Sequence, residues 1–347
     1  MLPALEIALA WPIEFAGIVF IAACAISFLL LLSLKPALRR YALAKPNTRS
    51  SHKLPTPQGG GIAIITAIVT VVGAIGVLYP SLFNEPVRLA AIFMAVIALA
   101  TVGLVDDIRP IEVLPRLLVQ VVAVLIVLAS LPDVRIFAIL PWWIERALMF
   151  GTVLWLVNVV NFMDGIDWMT VAEVVPVTGG LALFGLSGAL PLEATLVALG
   201  LCGALIGFAP LNRPVAQLFL GDVGSLPIGL LLGWLLLLLA AGDNFAAAAL
   251  LPLYYVADAT VTLLRRFANG KPLSQAHRDH FYQRAVDGGF SVQQIVSRVF
   301  AVNLILTGFA AATIFNHSLT VQFMMLAAGS AVVAALLWKF NRGRRRR

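Results

Sequence analysis

Charge is what this sequence has least of. Asp, Glu, Lys and Arg make up 12% of its 347 residues while 61% are hydrophobic, and the mean hydropathy is +0.97. That excludes a soluble globular protein, in which about 25% of residues are charged. Cysteine is nearly missing too. Cys24 and Cys202 both fall inside apolar runs, read as small core residues, and offer no disulfide framework. The first apolar run lacks a basic leading segment and a small-residue cleavage site, so it reads as a retained helix and not a removed signal peptide.

What is there is apolar sequence in long runs. A helix needs about 20 apolar residues to cross the hydrocarbon core, and eleven such spans are expected: 15–34, 61–79, 88–105, 114–131, 145–161, 168–188, 190–211, 224–241, 245–264, 294–315 and 320–340. No separate soluble domain fits between them. The expected fold is an all-α integral membrane protein, a polytopic helical bundle forming one domain over 1–347, with a basic tail over 341–347. Lys and Arg concentrate in cytoplasmic loops. Lys35, Arg39, Arg40, Lys45, Arg49 and Lys53 follow the first span; Arg265, Arg266, Lys271, Arg278 and Arg284 follow the ninth; Arg342 and Arg344 to Arg347 end the chain. The opposite side holds only Arg88, Arg135 and Arg146, which predicts an outside N-terminus and a cytoplasmic C-terminus. The net charge of +7 is thus a topology signal, and the Arg tail reads as an anchor on anionic headgroups, not as a nucleic-acid site.

Polar residues cluster where spans meet the cytoplasmic side. In Asn158-Val-Val-Asn161-Phe-Met-Asp164-Gly165-Ile-Asp167, an apolar run ends in two amides and two carboxylates. Asn158 and Asn161 are i, i+3 neighbours on a helix, Asp164 continues the stripe, and Gly165 releases the chain so that Asp167 turns back. Such a stripe collects oxygen ligands for a hard cation such as Mg²⁺. A plain helix cap would need one of these residues. The adjacent carboxylates Asp106 and Asp107 repel, so their retention points to a cation or cationic partner; the bland alternative pairs them with Arg109 or Arg116. Asp222 stands between glycines in Gly221-Asp222-Val-Gly-Ser225, compact enough to reach a metal or to cap the eighth span.

The first basic loop ends in Ser51-His52-Lys53-Leu-Pro55-Thr-Pro-Gln-Gly-Gly-Gly61, which is either a fixed structural turn or a phosphate cradle. Asp258 lies seven residues before Arg265, and a structural ion pair is its leading reading. Glu173, inside the sixth span, has no assignment. His277, Arg278 and His280 place imidazole and guanidinium donors close enough to hold a pyrophosphate. A transition-metal site there is disfavoured because no cysteine is near. His317 falls on the opposite side and reads as a loop residue.

In order along the chain, these five motifs resemble those of the polyprenyl-phosphate N-acetylhexosamine-1-phosphate transferases, in the branch that starts O-antigen and other surface glycans. The likeness covers nearly the whole chain. The His277-Arg278-Asp279-His280 form is unlike the consecutive histidines of the phospho-MurNAc-pentapeptide transferases, and Ala44 stands where relatives commonly have an Asp before the Pro-Asn pair. The resemblance implies transfer of a sugar-1-phosphate from a UDP-N-acetylhexosamine to undecaprenyl phosphate in the bacterial inner membrane. It assigns Mg²⁺, with Mn²⁺ as substitute, to Asp222 and Asn161. Asp106 and Asp107 then orient the lipid phosphate, Asp164 and Asp167 shape the nucleotide pocket, and His277, Arg278 and His280 hold the diphosphate or sugar, with Asn158, His52 and Lys53 as further substrate contacts. Membrane lipid and a second copy of the chain, as a homodimer, complete the expected partners. The rival readings are the pentapeptide transferase itself and a secondary transporter, which would place its polar residues near mid-membrane in paired repeats.

Overall fold

A computed structural model describes residues 2–44, 55–132, 135–272 and 277–343, with side chains from Ala16 onward. Helices dominate it. In chain order they are α1 (Leu2–Tyr41), α2 (Gly61–Leu78), α3 (Pro86–Ile108), α4 (Val113–Ser130), α5 (Trp142–Met163), α6 (Met169–Leu186), α7 (Leu192–Asn212), α8 (Asp222–Ala241), α9 (Phe245–Leu250), α10 (Leu253–Ala268), α11 (Phe281–Asp287), α12 (Val292–Phe315) and α13 (Leu319–Arg342). Ten of these helices, α1 to α8 with α12 and α13, are long and apolar enough to cross a membrane among the described residues. The crossing expected over 245–264 is different. Pro252 cannot donate to a helical ladder, and the segment divides there into α9 and α10.

The order of packing follows from how apolar each helix is around its circumference. A helix that is apolar all round belongs in the middle, and α8 buries nearly every side chain from Val223 to Ala240. It is packed by α2, α3, α5 and α9. The outer helices α1 and α13 instead expose Ile18, Ile21, Leu29, Phe323 and Met324, as lipid-facing surfaces do.

The polar loops gather at one end of the bundle. Two short antiparallel strands, β1 (Leu43–Ala44) and β2 (Thr56–Pro57), follow α1, and Gln58 bridges to Phe219 just before α8. The amides of Gly60 and Gly61 donate to the carbonyls of Phe219 and Leu220, both at 2.9 Å. With both amides occupied by protein carbonyls, the glycine run is a structural turn that stitches the first loop to the start of α8. Contacts at the far end are separate from these. There the Asn84 amide donates to Glu193 at 3.2 Å and the rings of Phe137 and Phe245 meet edge to face at 4.9 Å.

Candidate active site

The site is built around the N-terminus of α8. Gly221 takes φ +78°, a conformation that only glycine adopts freely, and this turns the chain so that Asp222 opens the helix. The first amides of a helix lack partners within it. Here they find a carboxylate from α3: Asp107 accepts from the Asp222 amide at 2.9 Å and the Val223 amide at 3.1 Å, one with each oxygen. Close approach makes this possible, since a Cβ on Gly103 would overlap the Asp222 backbone and one on Gly61 would overlap Gly224. Asp107 therefore acts on α8 directly, and both of its oxygens are engaged there.

The carboxylate of Asp222 is left to face its neighbours. Its Oδ1 accepts from Asn161 Nδ2 at 2.7 Å and its Oδ2 from Arg116 Nη1 at 3.2 Å. The same Arg116 nitrogen donates to Asp106 Oδ2 at 3.0 Å, and Asn161 Nδ2 also donates to Ser225 Oγ at 3.0 Å. Asp106 is steadied through its other oxygen, which accepts the Ile111 amide at 2.6 Å. Four elements (α3, α4, α5 and α8) thus meet on two carboxylates. Arg116 was legible only as half of an ordinary ion pair; no spacing signal could show that it bridges two carboxylates from different helices.

Beyond Asn161 the chain leaves α5 at Met163, and the two following carboxylates separate. Asp164 accepts from Thr170 Oγ1 at 2.6 Å, and Asp167 Oδ2 accepts the Ala216 amide at 2.9 Å. The turn that follows Asp167 is held under strain. Trp168 has φ 62°, costly for a bulky residue, and is fixed by Asn212 Oδ1 on its amide at 2.8 Å and by the Ala209 carbonyl on its indole at 2.6 Å. Gly165 leaves room for the Tyr282 hydroxyl, which donates to the Phe162 carbonyl at 3.1 Å. Asn158 points elsewhere. Its amide donates to Gln120 Oε1 at 2.9 Å and back to the Leu154 carbonyl at 2.8 Å, so it ties α5 to α4 one turn away from the carboxylate pair.

The His pair is organised by a residue read differently from sequence. Asp258 does not pair with Arg265, whose guanidinium instead lies over the Phe281 ring at 4.6 Å. Arg265 is exposed, whereas Asp258 is fully buried and reaches the start of α11. Its oxygens lie 3.2 Å from His280 Nδ1 and accept the amides of Phe281 at 3.1 Å and Tyr282 at 3.3 Å. The partners come from a later loop, which is why spacing along one helix pointed to the wrong one. A carboxylate at Nδ1 calls for a proton on that ring nitrogen and fixes the plane of the His280 ring. His277 stacks on His280 with ring centroids 5.1 Å apart and accepts the Asp279 amide on Nδ1 at 3.3 Å. Arg278 pairs with Asp287 at 3.1 Å, and Asp279 pairs with Arg266. His52 and Lys53 lie outside the described residues.

Electrostatics set the protonation of the groups outside the spans. Burial pushes the Asp164 carboxyl up to about 7, with Asp222 and Asp167 adding to the rise and the Thr170 hydrogen bond opposing it. His277 is pushed down to about 4 by burial, by His280 and by Arg266, so at neutral pH it is an uncharged ring. With Nδ1 accepting, its proton sits on Nε2 as a donor. Lys271 and Arg266 hold the Asp279 carboxyl below its usual range against the opposing effect of burial.

The donor set suits a hard divalent cation. Asp222, Asp106 and Asn161 offer carboxylate and amide oxygens within one cluster, and Mg²⁺ is commonly bound by one or two carboxylates with phosphate oxygens completing its shell. Among the described residues no three His, Cys, Asp or Glu side chains form a closed metal cage. The protein's share is a partial set that a phosphorylated substrate would finish. On the flank of the bundle, Trp155, Thr260, Leu263, Leu264 and Phe267 line an apolar recess of about 360 Å³ between α5 and α10.

Residues 89–240 match the family described as glycosyl transferase family 4, a stretch that holds Asp106, Asp107, the Asn158 to Asp167 run and Asp222. A "Probable undecaprenyl-phosphate N-acetylglucosaminyl 1-phosphate transferase" of Bacillus subtilis is 28% identical over 298 residues, covering 81% of each chain. Over most of its length the chain is therefore similar to a protein named as a polyprenyl-phosphate N-acetylglucosaminyl 1-phosphate transferase. A second such transferase, the decaprenyl-phosphate N-acetylglucosaminephosphotransferase of Mycobacterium tuberculosis, is 26% identical over 349 residues, covering 88% of this chain and 84% of that one. A phospho-N-acetylmuramoyl-pentapeptide-transferase of Synechococcus is 35% identical over 160 residues, 44% of each chain. The matched family region stops before Asp258 and His280, so the His half of the site rests on geometry.

Proposed function

We propose that this protein transfers N-acetylhexosamine-1-phosphate from a UDP-sugar to undecaprenyl phosphate, forming the lipid-linked first sugar of O-antigen or another surface polysaccharide. The observation that carries the reading is the Asp222 cluster, in which a carboxylate at the N-terminus of the central helix is joined to Asn161 and, through Arg116, to Asp106. The reaction is a displacement at the sugar-bearing phosphorus in which the P–O bond to UMP breaks. Its barrier is largely electrostatic, because two anionic phosphates must meet. Mg²⁺ held by Asp222 and Asn161 would neutralise that charge. Asp106 stands beside them to orient the lipid phosphate, while Asp107 keeps α8 in register. Asp164 and Asp167 border the nucleotide, and the His277 Nε2–H is a neutral donor for the diphosphate or sugar. The apolar recess beside α10 would take the prenyl chain from the bilayer. Trp155 on its wall lies six residues before Asn161 on α5, roughly 9 Å of helix rise. With the basic loops facing the cytoplasm, the reaction occurs where nucleotide sugars are made.

The longer matches favour the N-acetylglucosamine transferases over the pentapeptide transferase, and a transporter gives no reason for polar loops at a single end. The test is UMP release by purified protein with undecaprenyl phosphate, Mg²⁺ and a panel of UDP-N-acetylhexosamines. UMP is expected only when lipid, metal and one donor are all present. Asp222→Asn is expected to lower turnover roughly 10²-fold or more. UMP release unchanged in that variant would remove Asp222 from the site.

A further inference from the structure

We infer that Tyr282 is a positioning residue of this site, whose hydroxyl fixes the spacing between His277 and the Asn161–Asp222 pair. This role rests on the transferase reading, and it falls to a side chain too deeply buried to touch a substrate. Three rings lie in series. His277 stacks on His280 with centroids 5.1 Å apart, and His280 stacks on Tyr282 at 5.8 Å, with the planes inclined by 27° and 22°. The series runs inward from half-buried His277, through His280 at 3% exposure, to Tyr282 at 0%. Its inner end is tied twice. The Tyr282 amide donates to Asp258 Oδ2 at 3.3 Å, and its hydroxyl donates to the Phe162 carbonyl at 3.1 Å. Phe162 directly follows Asn161 in the last turn of α5, where carbonyls have no partner further along the helix. The turn beyond is shaped around the phenol, since a Cβ on Gly165 would lie 2.0 Å from its oxygen.

A phenylalanine would fill the same space and stack in the same way. What the hydroxyl adds is a tie between two parts of the site that are 120 positions apart in the chain. In the proposed function Asn161 and Asp222 hold the metal, while His277 meets the second phosphate or the sugar of the donor. One substrate must satisfy both at once. A misplacement of about 1 Å between such groups can cost about 10²-fold. The hydroxyl of Tyr282 holds the ring series against the end of α5 and so keeps His277 in range.

The test is a double-mutant cycle of Tyr282→Phe and His277→Ala in detergent with Mn²⁺ present. The probes are UMP and the UDP-N-acetylhexosamine that wild type binds most tightly, each titrated by calorimetry. Binding needs no turnover, so the cycle closes even where a variant is inactive. Tyr282→Phe keeps the ring and removes only the hydroxyl. It is expected to bind the UDP-sugar about tenfold more weakly and UMP as well as wild type does. His277→Ala is expected to do the same. The double variant should stay near tenfold, because no His277 donor is left for the hydroxyl to place. Losses that multiply to about a hundredfold, as independent sites give, would overturn the inference. Unchanged UDP-sugar affinity in Tyr282→Phe would overturn it too. So would a parallel loss of UMP affinity, which would make the hydroxyl part of the general scaffold. A wild type that binds no UDP-sugar would instead overturn the transferase reading itself.

Discussion

Asp107 and Asp222 are the same residue type a few ångströms apart, yet they are expected to fail differently. Both Asp107 oxygens accept backbone amides, so Asp107→Asn sets an amide donor against an N–H and leaves one helix-end group unpaired. That costs roughly 1–3 kcal/mol, and both melting temperature and turnover are expected to fall. Asp222→Asn keeps the helix cap and should lose turnover alone. Asp164 offers a pH test. Its carboxyl is raised from 3.8 to about 7 in the folded protein, so the folded state binds the extra proton. The stability conferred by that proton is fully present below about pH 4 and is lost as pH rises through about 7. Asp164→Asn is neutral throughout and still accepts from Thr170. In metal-free detergent its melting temperature should exceed that of wild type by a larger margin at pH 8 than at pH 5. An equal difference at both pH values would show that Asp164 does not titrate there. At this scale the sequence marked these carboxylates as candidates and hid what each touches. Asp107 and Asp222 are 115 positions apart, and no periodicity joins α3 to α8.

At the scale of elements, the site depends on how closely α2 and α3 approach α8. Gly103 is the point of nearest approach to Asp222, and Gly103→Ala forces a methyl group into that backbone. Overpacking of this kind costs about 1–3 kcal/mol, and here it would push the carboxylate off its partners. A methyl group added at Gly73 in α2 would meet nothing within 4 Å, so Gly73→Ala is the matched control. Turnover should fall sharply in the first variant and stay near wild type in the second; equal effects would show that helix approach does not set the site. The long helices were legible because an apolar run of about 20 residues has few other solutions. What escaped was α10. Its buried face carries Tyr254, Tyr255, Asp258, Thr262 and Arg266 within a stretch whose average hydropathy hides them. The break at Pro252 and the reach of Asp258 to α11 depend on tertiary partners that a window along the chain does not see. Glu173, unassigned from sequence, likewise finds its partner in another helix, accepting from Asn303 Nδ2 at 2.6 Å.

Across the whole molecule, the proposed function requires that a water-soluble donor and a lipid acceptor reach one cluster by different routes. The polar loops form the end of the bundle, and the recess between α5 and α10 opens on its side, exposing Leu264 and Phe267 at 61% and 72%. Such apolar exposure is costly in water and expected in lipid. If the prenyl chain lies there, filling the recess should penalise the lipid substrate and spare the nucleotide sugar. Leu263→Trp adds an indole to the recess wall while leaving Thr260 Oγ1 to accept the Trp155 indole N–H at 3.1 Å. Its KM for undecaprenyl phosphate should rise about tenfold, with KM for the UDP-sugar unchanged. A prenyl phosphate too short to reach the recess should be used equally well by variant and wild type. That last comparison separates a blocked groove from a distorted site, because distortion of Asn161 through α5 would slow both acceptors alike. An undecaprenyl phosphate KM that does not move would place the chain against another face of the bundle.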